Sequence, residues 1–87
     1  MRLRVIDIET SGGSPSEIIE IAAVDVVQTD GRWRAEPPRS RLFRPNGEIT
    51  FHAMAIHHLT PSDFDPNLPC CDDRQLIDFL EGGGPAD

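Results

Sequence analysis

One stretch of this chain limits its possible folds more than any other, because an apolar strand there presents two carboxylates and then breaks into a turn. Residues 3–9 predict a β-strand, within which a single isoleucine separates Asp7 from Glu9. Alternate residues of a strand point to the same face, so we expect these two side chains to lie side by side. Carboxylates held that close repel each other unless a cation lies between them. Oxygen ligands suit Mg²⁺ or Mn²⁺, and the simplest hypothesis is a site for such a metal.

The surroundings of this pair distinguish it from the many Asp-x-Glu pairs that are only solvated strand ends. A turn rich in serine and glycine follows, and then a second apolar strand over residues 18–28. The Asp30-Gly31 pair predicts a tight hairpin turn. Two prolines at 37–38 interrupt the returning arm, and we expect a third strand near residues 40–44.

The second half of the chain has the signals of short helices. Thr50 is a suitable N-cap for a helix over residues 51–56, and the Thr-Pro-Ser-Asp run at 60–63 is typical of a second helix start. An aspartate before residues 74–81 can cap a last helix, whose apolar residues lie on one face. Strands followed by helices would, without further information, suggest the α+β class.

The composition narrows the class of protein. A net charge of −7 is unfavourable for binding nucleic acid through bulk electrostatics, but an acidic cluster is what holds catalytic metal ions. Five arginines fall between positions 32 and 44, and we interpret them first as the solvated face of a hairpin. The adjacent Cys70 and Cys71 are expected to be free thiols. With no long apolar run and no signal-peptide pattern, we expect a cytoplasmic protein.

Three separated segments resemble a known family. Residues 6–12 and 17–24 look like the first motif of the DEDD, or DnaQ-like, 3′–5′ exonucleases. Residues 53–60, with the sequence Ala-Met-Ala-Ile-His-His-Leu-Thr, are similar to the segment that follows the third strand in that family. The resemblance covers roughly residues 3–81, in the right order, and within the family the exonuclease X group looks most similar.

The resemblance implies an α/β protein with a ribonuclease H-like fold. We expect that exonuclease fold in a truncated form, with three antiparallel strands plus short helices. Residues 1–81 would be the amino-terminal part of the exonuclease domain, and 82–87 a flexible tail. In the family the next strand pairs in parallel with the first, so one edge of residues 3–9 should stay open here. Open edges with apolar side chains favour association, so we expect possible self-association.

The resemblance also implies roles for individual residues. Asp7 would bridge two ions of Mg²⁺ or Mn²⁺, and Glu9 would bind the ion that carries the nucleophilic water. The substrate would be nucleic acid with a single-stranded 3′ end, with DNA favoured over RNA. The residues expected to contact its terminal nucleotide are Thr10, Gly12, Met54, Ile56 and His57. A helix-end histidine without a ligand remains the alternative for His57, and we assign His52 and His58 to the surface.

The later motifs of the family do not occur in these 87 residues, which contain neither a His-Asn-x-x-Phe-Asp-like segment nor the subsequent His and Asp. Half of the metal ligands and the general base would then be missing, so we expect this chain alone to be inactive. The alternative hypothesis is a non-catalytic interaction module, in which a partner binds the open sheet edge by adding a strand.

Overall fold

The computed structural model describes residues 1–81, which form one antiparallel sheet and two short helices. The predicted tail at 82–87 lies outside the described residues. The strands are β1 (Arg2–Thr10), β2 (Ile18–Thr29), β3 (Arg32–Ala35) and β4 (Arg39–Leu42). The helices are α1 (Phe51–His57), a single 3₁₀ turn (Pro61–Asp63) and α2 (Asp73–Glu81).

The long strand β2 is the centre of the sheet, because β1, β3 and β4 all pair with it. The turn between β2 and β3 is the predicted one, with positive φ angles of 53° at Asp30 and 76° at Gly31. The sheet has four strands where three were expected. The segment 36–38 contains two prolines, which splits the returning arm into β3 and β4, and both halves pair with β2.

The first strand has an open edge, as predicted. Among the strands within residues 1–81, β1 pairs with β2 alone. Val5 and Ile6 are neighbours on opposite faces of the strand, yet they are 59% and 44% exposed. Both faces of β1 are therefore only partly covered.

Two apolar clusters cover the sheet, one under each helix. The α1 cluster consists of the buried residues Ile19, Ile49, Ala53 and Phe64, and Leu42 packs against it. The α2 cluster consists of Ile21, Ala23, Phe43 and Phe79. Leu42 pairs with Glu20, the neighbour of Ile21 on β2, so Leu42 and Ile21 point to opposite faces. Helices α1 and α2 each pack against their own cluster.

A partly buried cluster of charged side chains connects β1 to β2. The Nε and Nη2 atoms of Arg4 donate to the Asp25 carboxylate at 2.6 and 2.9 Å, and Arg2 approaches the same carboxylate at 3.1 Å. The Arg4 hydrogen bond is the main reason that the pKa of Asp25 lies below its ordinary value of 3.8. Nη1 of Arg4 also donates to the carbonyl oxygen of Leu80 at 2.6 Å, which ties β1 to the end of α2.

The arginines of β4 hold the same helix. Arg39 donates to the carbonyl oxygen of Phe79 at 2.7 Å and lies 4.3 Å from the centre of its ring, while Arg41 donates to the carbonyl oxygen of Gln75 at 3.5 Å. Cations near helix carbonyls at a C-terminal end are favourable. The interpretation of these arginines as a solvated hairpin face is therefore wrong for Arg39 and Arg41. Among the described residues, no helix is long and apolar enough to cross a membrane.

Candidate active site

The two carboxylates of β1 lie on one face of the sheet. Asp7 pairs with Ala22 and Glu9 pairs with Glu20, so both acids share a face, as the sequence predicted. Leu42 lies on that face as well, because Glu20 pairs with it from the other side. Leu42 packs against the α1 cluster, which brings α1 close to this end of the sheet.

A bulge and a buried serine redirect the chain directly after Glu9. The β1–β2 register shifts between Glu9 and Thr10, and bulges of this kind re-aim side chains at strand ends. Ser11 is only 1% exposed. Its N–H donates to the carbonyl oxygen of Glu17 at 2.8 Å, and its hydroxyl accepts from the Glu17 N–H at 3.0 Å. Its carbonyl oxygen accepts from the Thr50 N–H at 2.9 Å, which joins this turn to the start of α1.

The start of α1 lies against Gly12. The Thr50 hydroxyl caps the helix by accepting from the Ala53 N–H at 3.1 Å, which confirms the predicted N-cap. Gly12 has a φ of +78°, and a Cβ atom there would lie 2.5 Å from Thr50 Oγ1 and 2.9 Å from the Cβ of Ala53. Glycine is required at this position for two reasons, backbone conformation and close approach of the helix.

His57, the last residue of α1, contacts the end of β1. The N–H of Leu59 donates to Nδ1 of His57 at 2.9 Å, so that nitrogen is an acceptor. The neutral ring then carries its proton on Nε2, which lies 3.1 Å from the carbonyl oxygen of Thr10 and donates to it. Both ring nitrogens are used within the protein. His57 is thus suited to hold the two elements together, and its ring face remains available to a ligand.

A cavity of about 170 Å³ lies between the end of β1 and α1. Its lining includes five residues that the sequence predicted for the site, which are Glu9, Thr10, Gly12, Ile56 and His57. Three further lining residues were not predicted, namely Ile8, His52 and Ala53. The sequence did contain a signal for His52, which was assigned to the surface. It precedes Ile56 by four residues, a spacing that places two side chains on one face of a helix.

Met54 and Asp7 lie apart from this cavity. Met54 packs against the α1 cluster and lines a second, larger cavity of about 550 Å³ on the other side of α1, together with Phe51 and Phe64. Asp7 is exposed on the strand before the cavity begins. Their expected roles in substrate and metal binding stay predictions.

The candidate metal ligands are few in the described part of the chain. Within residues 1–81, no group of three or more His, Cys, Asp or Glu side chains is placed to hold an ion. Glu9 and Glu20 face each other across the β1–β2 pair, and like charges in directly opposite positions repel. Carboxylates crowded in this way fit a divalent cation, which would relieve the repulsion and keep several of its own waters.

The antiparallel sheet with its two short helices matches a solved exonuclease structure, and the fold is of the α/β, ribonuclease H-like class. The sequence model of the family described as Exonuclease matches residues 5–81, and the chain belongs to this family. The resemblance noted in the sequence is thereby confirmed.

Individual relatives agree with this assignment. The chain is similar to exodeoxyribonuclease 10 of Escherichia coli, both from strain K12 and from O6:H1 (strain CFT073). Each of these two proteins is 48% identical to the chain over 58 residues, which make up 67% of this chain and 24% of the relative. The solved structure of exonuclease X in complex with 5′ overhanging duplex DNA matches with a TM-score of 0.64 and 35% identity, over 95% of this chain and 43% of that one. The chain therefore spans about a quarter of the length of these curated relatives.

Proposed function

We propose that this chain forms part of a 3′–5′ exonuclease that hydrolyses the 3′-terminal phosphodiester bond of DNA with the help of two Mg²⁺ or Mn²⁺ ions. One observation carries the proposal. Asp7 and Glu9 share one face of the sheet, and Glu9 also lines the cavity between β1 and α1. The related exonuclease X structure is a complex with DNA, which supports DNA as the substrate.

Asp7 and Glu9 are the proposed ligands of the metal ions. Asp7 would bridge the two ions and Glu9 would bind one of them, next to the crowded Glu20. When bound, such ions supply a nucleophilic water at neutral pH and stabilise the departing 3′-oxygen. They also attract phosphate to a protein whose net charge of −7 would otherwise repel it.

The cavity accounts for recognition of the terminal nucleotide. Ile56 is 65% exposed and offers an apolar surface to a sugar or base. Gly12, which has no side chain, leaves the backbone of the turn accessible to the nucleotide. His57 is held by Thr10 and Leu59, so it presents a ring face in a fixed orientation.

Metal-dependent binding of a 3′ end tests this function without requiring turnover. Single-stranded DNA with a 5′ fluorophore should bind the chain more tightly when Mn²⁺ is present, and a 3′-phosphate on the DNA should remove most of that gain. The Asp7→Asn and Glu9→Gln variants should lose the Mn²⁺ dependence, whereas Asp78→Asn, a change at an exposed aspartate of α2, should keep it. Fluorescence anisotropy that shows equal binding with and without Mn²⁺ would contradict the proposal.

The chain alone should not release nucleotides. These 87 residues lack the family's later acids and its general base, so two-metal hydrolysis should not proceed. Incubation with 3′-labelled single-stranded DNA and Mn²⁺ should leave the label on the DNA. Robust release of mononucleotide would show that the two acids of β1 are sufficient.

The open edge of β1 favours a second candidate, a non-catalytic module that associates with a second copy by strand addition. Leu3 and Val5 are 52% and 59% exposed, and β1 pairs with β2 alone in the described sheet. Sedimentation should then show dimers that Val5→Lys disrupts. The matched control is Ile77→Lys on α2, where the isoleucine is 53% exposed. A monomeric wild-type chain would exclude this candidate. A cytoplasmic location also stays a prediction.

A further inference from the structure

We infer that Glu17 is a positioning residue of the nucleotide cavity, which holds the start of α1 in register with the acids of β1. This inference rests on the proposed nuclease function for its biological meaning, although the geometry stands without it. Glu17 lies in the turn between β1 and β2 and lines no part of the 170 Å³ cavity. Its carboxylate acts at a distance, through the loop that precedes α1.

The Glu17 carboxylate binds two consecutive backbone amides of that loop. Oε1 accepts from the Asn46 N–H at 2.8 Å, and Oε2 accepts from the Gly47 N–H at 2.9 Å, 30 residues along the chain. The hydrogen bond from Asn46 is the main reason that the pKa of Glu17 lies below its ordinary value of 4.5, and the bond from Gly47 lowers that pKa further. The charged carboxylate is therefore the form that the loop binds, and hydrogen bonds to a charged acceptor are the stronger kind.

The loop transmits this contact to the helix. Ile49 is 8% exposed and belongs to the α1 cluster, and Thr50 caps the helix. The Thr50 N–H is held by the carbonyl oxygen of Ser11, which is itself bonded to the backbone of Glu17. Seven residues further on, α1 ends at His57, which donates to Thr10. These contacts connect the turn after β1, the loop before α1 and both ends of α1. They meet at Thr10 and Ser11, next to Glu9.

The Glu17 side chain crosses a gap instead of filling a packed core. The turn and the loop face each other across an open cavity of about 590 Å³, lined by both segments, and Glu17 belongs to that lining. Apolar packing between the two segments is therefore limited at this point. A carboxylate that spans the gap sets the distance between them, which a smaller or uncharged side chain would not reproduce.

The variant Glu17→Gln tests the inference, with Glu48→Gln as its matched control. Glutamine offers one acceptor oxygen in place of two and brings an NH₂ group against a backbone N–H. Glu48 lies in the same loop, is exposed, and makes no side-chain hydrogen bond within residues 1–81. Both variants lose one negative charge. A difference between them therefore reports the hydrogen bonds from Asn46 and Gly47 to Glu17, and not the loss of charge.

The readout is the NMR signal of groups far from Glu17. We expect Glu17→Gln to shift the ¹⁵N resonances of the His57 ring and the carbonyl ¹³C resonance of Thr10, while Glu48→Gln leaves both in place. If only the amides of Asn46 and Gly47 move, Glu17 has a local structural role and the inference is overturned. Should Glu17→Gln not fold, Glu17→Asp keeps the charge on a shorter side chain, and the same His57 and Thr10 signals must shift by a smaller amount. Unchanged signals in that variant would overturn the inference as well.

A binding measurement separates this inference from the proposed function. In the presence of Mn²⁺, the affinity for thymidine 5′-monophosphate should fall about fivefold in Glu17→Gln, which is a typical lower size for coupling between separate sites. It should be unchanged in Glu48→Gln. If the wild-type chain does not bind the nucleotide, the nuclease proposal fails, and the His57 and Thr10 resonances still decide whether Glu17 positions the helix. Wild-type binding with an unaltered Glu17→Gln affinity would contradict the inference alone.

Discussion

The Nε2 atom of His57 lies 3.1 Å from the carbonyl oxygen of Thr10, and this contact ties the last residue of α1 to the last residue of β1. The Leu59 N–H fixes the other ring nitrogen as an acceptor at 2.9 Å. A histidine in this arrangement orients the wall of the cavity, and the proton on Nε2 is committed to the backbone. A role as general base would require the Leu59 N–H to release Nδ1, the ring nitrogen that carries the lone pair.

Replacing His57 should weaken the attachment of α1 to the sheet. His57→Ala removes one donor and one acceptor, and we expect the free energy of unfolding to fall by about 1–2 kcal/mol. Urea denaturation measures the change. His52→Ala, at an exposed position of the same helix, should alter stability by less than about 0.5 kcal/mol. Equal effects of the two changes would mean that the Thr10 contact contributes nothing.

Gly12 and Gly31 provide a matched pair that separates backbone conformation from steric clash. Their φ angles are +78° and +76°, but only a Cβ at Gly12 would meet other atoms, at 2.5 Å from Thr50 Oγ1. Gly31→Ala should cost about 1 kcal/mol, the conformational contribution of a positive φ. Gly12→Ala should cost more by at least about 1 kcal/mol, since the start of α1 must move. Similar losses in thermal or urea unfolding would show that the helix does not press on this turn.

Acid should destabilise the fold through two carboxylates. The folded-state pKa values of Glu17 and Asp25 lie below their ordinary values of 4.5 and 3.8. The unfolded chain therefore binds protons more readily in this range. The stabilisation is fully present above the ordinary pKa values and is lost as the pH falls through the lower folded values. Urea midpoints should stay level down to about pH 5 and fall below about pH 4.

Asp25→Asn tests one of the two sources of that acid sensitivity. The variant should be less stable than the wild type at neutral pH, because Arg4 loses its charged partner, and its stability should depend less on pH below about pH 4. Asp78→Asn changes an exposed aspartate and should leave the pH dependence as it is in the wild type. A wild-type slope in Asp25→Asn would assign the acid sensitivity to other groups.

Arg39 should contribute to stability through α2 and not through DNA binding. Its guanidinium lies over the ring of Phe79 at 4.3 Å and donates to the carbonyl oxygen of the same residue. Arg39→Ala should lower the free energy of unfolding by about 1–2 kcal/mol. Arg34→Ala, at an exposed position of β3, should change it by less than about 0.5 kcal/mol. If Arg39→Ala weakens DNA binding while leaving stability unchanged, this assignment is wrong.

Local signals predicted most of the secondary structure because they depend on few neighbours. The Asp30-Gly31 turn, the Thr50 cap and the aspartate cap of α2, where Asp72 accepts from the Gln75 N–H at 2.8 Å, all lie where the sequence indicated them. The shared face of Asp7 and Glu9 follows from strand geometry alone.

Features that depend on how elements dock could not be predicted in this way. The seven-residue α1 has too few turns for its sequence to define which face meets the sheet, so the sequence did not indicate that Met54 and His52 line different cavities. The roles of Arg39 and Glu17 arise from partners 40 and 30 residues away. Such contacts leave no periodic signal, since they become visible only when the sheet and the helices are assembled.

Paramagnetic line broadening by Mn²⁺ tests the central claim most directly, because it reports where a divalent ion binds without requiring activity. With trace Mn²⁺, the amide signals of residues 7–10 and of His57 should broaden first, and Asp7→Asn or Glu9→Gln should abolish the effect. Broadening that begins instead around Asp72 and Asp73, or that survives both substitutions, would show that the acids of β1 do not form a metal site.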